Sequence, residues 1–379
     1  MQFEIMVILA WLTRRKLVLP PPRPFAHLGP QPRSLMDFLD LEALRRHVDV
    51  LTAEEFAPAQ GDHESFHAHL RDRGYSPGWN ALEDVLIHPP NALTKRFELI
   101  PRLCRRRPVG ITGEVDSCET LYFPMSKEHR MFGVFEAFFF FGDPQDEHRA
   151  RALVRDAVRY RPEIWRLAER AMAQPPLAGE PFSSMHLRRG DFQYRETRIG
   201  PHEILRHVEK LVPAGATLYL ATEETNAEFL GPFQERFRVV RFENLAQEVI
   251  ACTPPHWIGI VETLLAAAAP GRFIGTRLST FSARISTVRG HLSNGAGRYS
   301  GIDTALYYTQ PPLEHARPEE LRPYGPPLRP HEDEHGETGT PWWKSIYREP
   351  LWGRAYKAVW ADTDTALSRR SSDAWEENQ

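Results

Sequence analysis

The sequence has 379 residues and a mass of 43.6 kDa, room for two domains or three and far more than a disulfide-stapled scaffold needs. Apolar residues make up 41%, charged residues 26%, and the net charge is -3. These values exclude a disordered chain and a global basic field for nucleic acid or anionic membrane. Of 47 basic residues only six are lysine, and there are 33 prolines. Either base composition or a need for planar, bidentate cations produces that imbalance, and composition leaves both open. Cys104, Cys118 and Cys252 have no metal-ligand spacing. Cys104 and Cys118 are either one bridge or two thiols.

The chain opens on MQFEIMVILAWL, an apolar run of about ten residues, half of the ~20 that a membrane-spanning helix needs. Its basic residues follow the run instead of preceding it, unlike a signal peptide. The pattern predicts a helix from about Glu4 to Thr13, then a buried strand Leu17–Leu19 closed by Pro20–Pro22. The chain thus starts inside an α/β unit, after the strand that would precede such a helix. Met36–His47 has helical spacing and Val48–Leu51 reads as a strand. Residues 57–95 read as an insertion. Phe132–Phe141, ending in four phenylalanines, is the end of a buried element or an exposed binding patch. Asp146–Tyr160 and Pro162–Ala173 are predicted helices, the second with proline at its first position. Gln174–Pro181 reads as a linker.

The second half alternates cleanly. Strands are predicted at Phe182–Leu187, Leu218–Ala221, Phe237–Phe242 and Arg272–Gly275, and helices at Glu203–Leu211, Ile258–Ala269 and Ser279–Val288. That rhythm predicts a doubly wound parallel sheet, which binds ligands at the carboxyl ends of its strands. Residues 309–341 are proline-rich and read as a surface segment. The tail holds Trp342, Trp343, Trp352 and Trp360, four of nine tryptophans, and is expected to dock on the body. The expected division is 1–175 for a first domain, 182–300 for a second, and 301–379 for the proline-rich segment and tail.

Three patterns carry chemistry. His186-Leu187-Arg188-Arg189-Gly190-Asp191 directly follows a strand. Paired arginines there hold a phosphate by bidentate hydrogen bonds, or they form a surface ion-pair cluster. Gly275-Thr276 followed by Ser279-Thr280-Phe281 places hydroxyls where a strand gives way to a helix, which serves an anion or simply caps the helix. Glu262 on the preceding helix has the acceptor pair for the N1–H and N2–H of guanine, or is a solvated helix residue. Three other patterns are discounted. His331-Glu332-Asp333-Glu334-His335 fits a zinc helix motif but lies between Pro330 and Gly336. Asp362-Thr363-Asp364 lies in a polar tail away from any strand end, and Arg189-Gly190-Asp191 sits in a strand-loop context unlike an integrin tripeptide. No metal site is expected.

Taken together, SSMHLRRGDFQY (183–194), LYLATEE (218–224) and RFIGTRLSTFSARISTVRG (272–290) resemble the GDP-fucose protein O-fucosyltransferase family and its plant-type members. The resemblance extends from near residue 5 to about 290. It implies a GT-B-like α/β fold with two facing Rossmann-like halves, and a metal-independent, inverting transferase that takes GDP-fucose and needs no cofactor. It matches Arg188 to the arginine on the β-phosphate, with His186, Arg189 and Asp191 completing that loop. Ser279, Thr280 and Phe281 match the residues around the diphosphate. Thr222 and Glu223 match the strand end lining the nucleotide cleft. Glu262 stands where the family usually has an aspartate facing guanine. The resemblance implies an acceptor protein or glycan, no nucleic acid, and the secretory pathway. The alternative is an inactive or truncated relative that only binds GDP.

Overall fold

The structure is a computed structural model. It describes residues 2–13, 16–25, 28–56, 65, 68, 120–122, 144–192, 194–276, 279–293 and 306–308. The expectations for Cys104, Cys118, Phe132–Phe141, His331–His335, Asp362–Asp364, the insertion, the proline-rich segment and the tryptophan tail lie outside these residues. The chain divides into two compact units, with the break between Arg161 and Pro162.

In the first unit, helix α1 (Gln2–Thr13) leads into β1 (Lys16–Val18). β1 pairs in parallel with β2 (Val50–Leu51) and β3 (Thr120–Tyr122), in the order β2-β1-β3. Met6, Val7, Ile8, Leu17 and Val18 are at most 1% exposed, so the N-terminal apolar run is core. The helix expected over Met36–His47 is in fact two pieces. A 3₁₀ turn spans Leu35–Asp37 under a Ser34–Asp37 capping box, and α2 spans Leu41–Arg45 with Asp40 as its N-cap. Asp40 Oδ1 accepts the Ala43 N–H at 3.0 Å, so the polar side chain restarts the helix where the apolar spacing had run through. Helix α3 (Ala53–Phe56) is short; α4 (Pro144–Ala157) packs on α1 and α2.

The second unit begins with α5 (Pro162–Met172). The sequence reading placed this helix in the first domain; it packs instead on α8 (Gln247–Cys252) and α9 (Ile258–Ala268). Its sheet has five parallel strands: β4 (Ser183–Leu187), β5 (Thr217–Thr222), β6 (Arg238–Val240), β7 (Phe273–Gly275) and β8 (Leu306–Tyr307). Their order is β6-β5-β4-β7-β8. β4 is the first strand of the set and central, and the chain winds outward from it first one way and then the other. That is the nucleotide-type doubly wound order, whose switch point lies between β4 and β7.

Side-chain alternation along β4 assigns the two faces. Met185 and Leu187 pack with Ile204 and Val208 of α6 (Pro201–Val208) and with Phe229, Leu230 and Phe233 of α7 (Ala227–Arg236). Ser184 and His186 turn to the other face, where the Ser184 hydroxyl donates to the Ala266 carbonyl of α9 at 2.8 Å. α9 carries Val261, Leu264 and Leu265, all fully buried, and packs on α10 (Thr280–Ser293). Strand β4 is buried on both faces, as parallel strands between helix layers must be. Several elements have no counterpart in the sequence expectations, among them α3, β3, α7, α8 and β8. α7 contains Gly231 and Pro232, which mask its helical period, and β8 is only two residues long.

Candidate functional site

The switch point is built by the two loops that leave β4 and β7. Their strands pair side by side, with Ser184 opposite Phe273 and Met185 opposite Ile274. Hydrogen bonds then tie the loops together. The Arg188 N–H donates to Thr276 Oγ1 at 2.9 Å, and that hydroxyl donates to the His186 carbonyl at 2.8 Å. The Thr276 N–H donates to Ser282 Oγ at 2.8 Å, and the same hydroxyl pairs with His186 Nδ1 at 2.7 Å. So His186 and Arg188, far in the chain from Thr276 and Ser282, form one polar lattice with them. Gly275 permits it: a Cβ there would lie 3.0 Å from Ser282 Oγ and Cβ.

His186 is buried, and burial followed by the nearby Arg188 charge lowers its pKa to about 3. The imidazole is therefore neutral at physiological pH. The Phe281 ring lies 4.7 Å from it, and the same ring faces Gly259 in the first turn of α9. Ser279, 4% exposed, immediately precedes α10; Thr280 is exposed at the helix's first position. The open N–H groups of a fourteen-residue helix thus begin beside the β4 loop.

Arg188 and Arg189 diverge. Arg188 has both terminal nitrogens on carboxylates: Nη1 on Glu223 and Nη2 on Asp191, the latter at 2.5 Å. Asp191 is largely exposed and Glu223 partly so, which leaves this pairing screened by solvent. Gly190, at φ +25°, makes room for it; a Cβ there would lie 2.5 Å from Glu223 Oε1. Arg189 is turned into the protein instead. It donates to the Ile199 carbonyl at 2.8 Å, pairs with Glu224 at 3.1 Å, and lies 4.0 Å above the Phe229 ring. Arg189 thus fastens the loop to α7, a role shared by two residues the sequence reading passed over. The doubled glutamate of LYLATEE was the available signal for Glu224. Thr222 donates to the Leu187 carbonyl at 2.7 Å and accepts the Glu224 N–H at 3.1 Å, which joins the ends of β4 and β5.

Glu262 faces Tyr219, Arg241 and Glu243 on the β5–β6 side of α9. Burial, then the Glu243 charge, raises its carboxyl to about 7, against the opposing pull of Arg241 and the Tyr219 hydroxyl. That hydroxyl is buried and makes no full hydrogen bond. Burial and the neighbouring carboxylates hold the Tyr219 phenol well above its ordinary pKa. A buried carboxyl with a raised pKa beside a fully buried phenol leaves polar capacity for a ligand's donors.

The profile that defines the GDP-fucose protein O-fucosyltransferase family matches residues 1–292. The chain belongs to that family. With it comes the enzyme class expected from the sequence, a GDP-fucose-dependent fucosyltransferase. Among solved structures the family member is similar to POFUT1 in complex with GDP, with TM-score 0.45 and 14% identity over 81% of this chain and 93% of that one. It is similar to the NodZ alpha-1,6-fucosyltransferase soaked with GDP-fucose, with TM-score 0.42 and 15% identity over 77% and 89%. It is also similar to fucosyltransferase NodZ from Bradyrhizobium, with TM-score 0.39 and 16% identity over 75% and 88%. No curated protein compared with the chain matches it. Among the described residues, no helix of this fucosyltransferase is long and apolar enough to cross a membrane, and no group of His, Cys, Asp or Glu could hold a metal ion.

Proposed function

We propose that the protein transfers fucose from GDP-fucose to a protein Ser/Thr or glycan hydroxyl, with inversion and without a metal ion. The lattice joining the two loops at the switch point carries this reading, because it brings an arginine and a helix N-terminus to one strand end. In the reaction the acceptor oxygen bonds to the anomeric carbon as the bond to the β-phosphate breaks. The electron pair leaves with GDP and the acceptor proton passes to a base or to solvent. Charge grows on the leaving diphosphate. Arg188, released from Glu223 and Asp191, takes the β-phosphate bidentately, and the first N–H groups of α10 with Ser279 and Thr280 take the rest.

Ionised Glu262 accepts N1–H and N2–H of guanine, while neutral His186 and Phe281 wall the cleft beside Thr222. The reading includes a GT-B-like fold, no cofactor, no nucleic-acid partner and a place in the secretory pathway. Its test is GDP release from GDP-fucose with protein and glycan acceptors, with and without a chelator, and the anomeric configuration of the product. Chelator-insensitive turnover with inversion is expected. GDP binding without turnover supports the second reading, a GDP-binding relative without activity. Absence of GDP binding overturns both.

A further inference from the structure

Tyr308 lies beyond the residues matched by the family profile, immediately after the edge strand β8. Its side chain is fully buried in the core beneath α6 and α7. Its hydroxyl reaches the functional loop. That hydroxyl faces two carbonyls, Arg188 O at 3.2 Å and Thr197 O at 3.1 Å, and shares its single proton between them. These two residues are the start and end of the loop that carries Arg188, Arg189, Gly190 and Asp191. Thr197 is 1% exposed, so no solvent replaces the bond at that end. The tyrosine backbone is held as well: its N–H donates to the Gly275 carbonyl at 3.2 Å, and its carbonyl pairs with His207 Nδ1 of α6 at 2.8 Å.

We infer that Tyr308 is a positioning residue for the fucosyl-transfer site, a rigid pin that closes the β4 loop and aims Arg188 at the donor diphosphate. The inference rests on the proposed contact between Arg188 and the β-phosphate. Deleting the hydroxyl leaves two carbonyls competing for no donor, and the loop is free to open. A phenol at a core position with two backbone acceptors is rigid, because its ring is fixed by packing and its O–H by geometry.

The experiment is calorimetric titration of the full chain with GDP and with GMP, which lacks the β-phosphate. Wild type is compared with Tyr308→Phe, and each variant's thermal midpoint is recorded. Tyr308→Phe is expected to weaken GDP by about tenfold, the scale of one lost neutral hydrogen bond, to leave GMP near wild type, and to lower the thermal midpoint by only a few degrees. In an Arg188→Ala background the same change is expected to have no further effect on GDP. Unchanged GDP affinity in Tyr308→Phe overturns the inference, and so does an equal loss of GDP and GMP. Should Tyr308→Phe fail to fold, His207→Ala releases the tyrosine backbone instead, and the same GDP-selective loss is expected there, with equal loss again overturning it. Wild-type protein that does not bind GDP refutes the underlying reading, a result distinct from all of these.

Discussion

Arg188 and Arg189 are adjacent in sequence and opposite in use. One is held by exposed carboxylates at a strand end; the other is committed to Glu224, Ile199 and Phe229. Arg188→Ala is expected to lower turnover by 10²–10³ or more, about 3–4 kcal/mol, with the thermal midpoint little changed. Arg188→Lys is expected to fail as well, since an ammonium lacks the fork. Steady-state rates with melting curves check both. His186 and Glu262 make opposite contributions to acid stability. The buried imidazole has a pKa of about 3 against 6.5 unfolded. As pH falls through that window the unfolded chain takes up the proton and the folded one does not, so stability falls. Glu262 has a pKa of about 7 against 4.5 unfolded, so here the folded chain holds the extra proton and stability falls as pH rises. Between about 4.5 and 6.5 the two slopes oppose each other. Denaturant titrations across that range should show His186→Gln losing stability with rising pH relative to wild type, and Glu262→Gln gaining it. The same carboxylate must ionise to accept guanine, so GDP affinity is expected to rise with pH through about 7 in wild type and to flatten in Glu262→Gln.

At the scale of elements, the donor site depends on how α9 and α10 are fastened behind the sheet. Arg289 of α10 is 2% exposed and caps the C-terminal end of α9. It donates to the carbonyls of Ala267 at 3.1 Å and Ala269 at 2.6 Å, and also to that of Gly271. A cation at a helix C-terminus satisfies carbonyls that have no partner within the helix. Arg289→Met is expected to cost about 2–3 kcal/mol by leaving buried acceptors unpaired, and urea unfolding measures it. A loss below about 0.5 kcal/mol would show that the cap is dispensable. Periodicity located α9 because its apolar character is dense. It ran α2 together with the turn before it, because Asp40 and Ser34 act through hydrogen bonds that hydropathy does not register. It passed over β8, whose two residues are too few for any period.

At the scale of the molecule, every residue assigned to the donor lies in the unit that begins at Pro162. GDP at one hundred times its Kd is expected to stabilise that unit by about 2.7 kcal/mol, with amide exchange protection concentrated between Pro162 and Tyr308. Equal protection across the first unit would contradict this. What the residue order determined by itself was local: a strand ending in His-x-Arg-Arg, a strand ending before Ser-Thr-Phe, an alternating α/β rhythm, and through these the family. Each depends on neighbours within a few positions of one another. The division of labour between Arg188 and Arg189, the His186–Ser282 lattice, the elevated Glu262 carboxyl and the Tyr308 pin were decided by the tertiary fold. Most of their partners lie tens of residues away or more, and burial, which sets both the pKa shifts and the cost of an unpaired carbonyl, exists only once the sheet has wound outward from β4 in both directions.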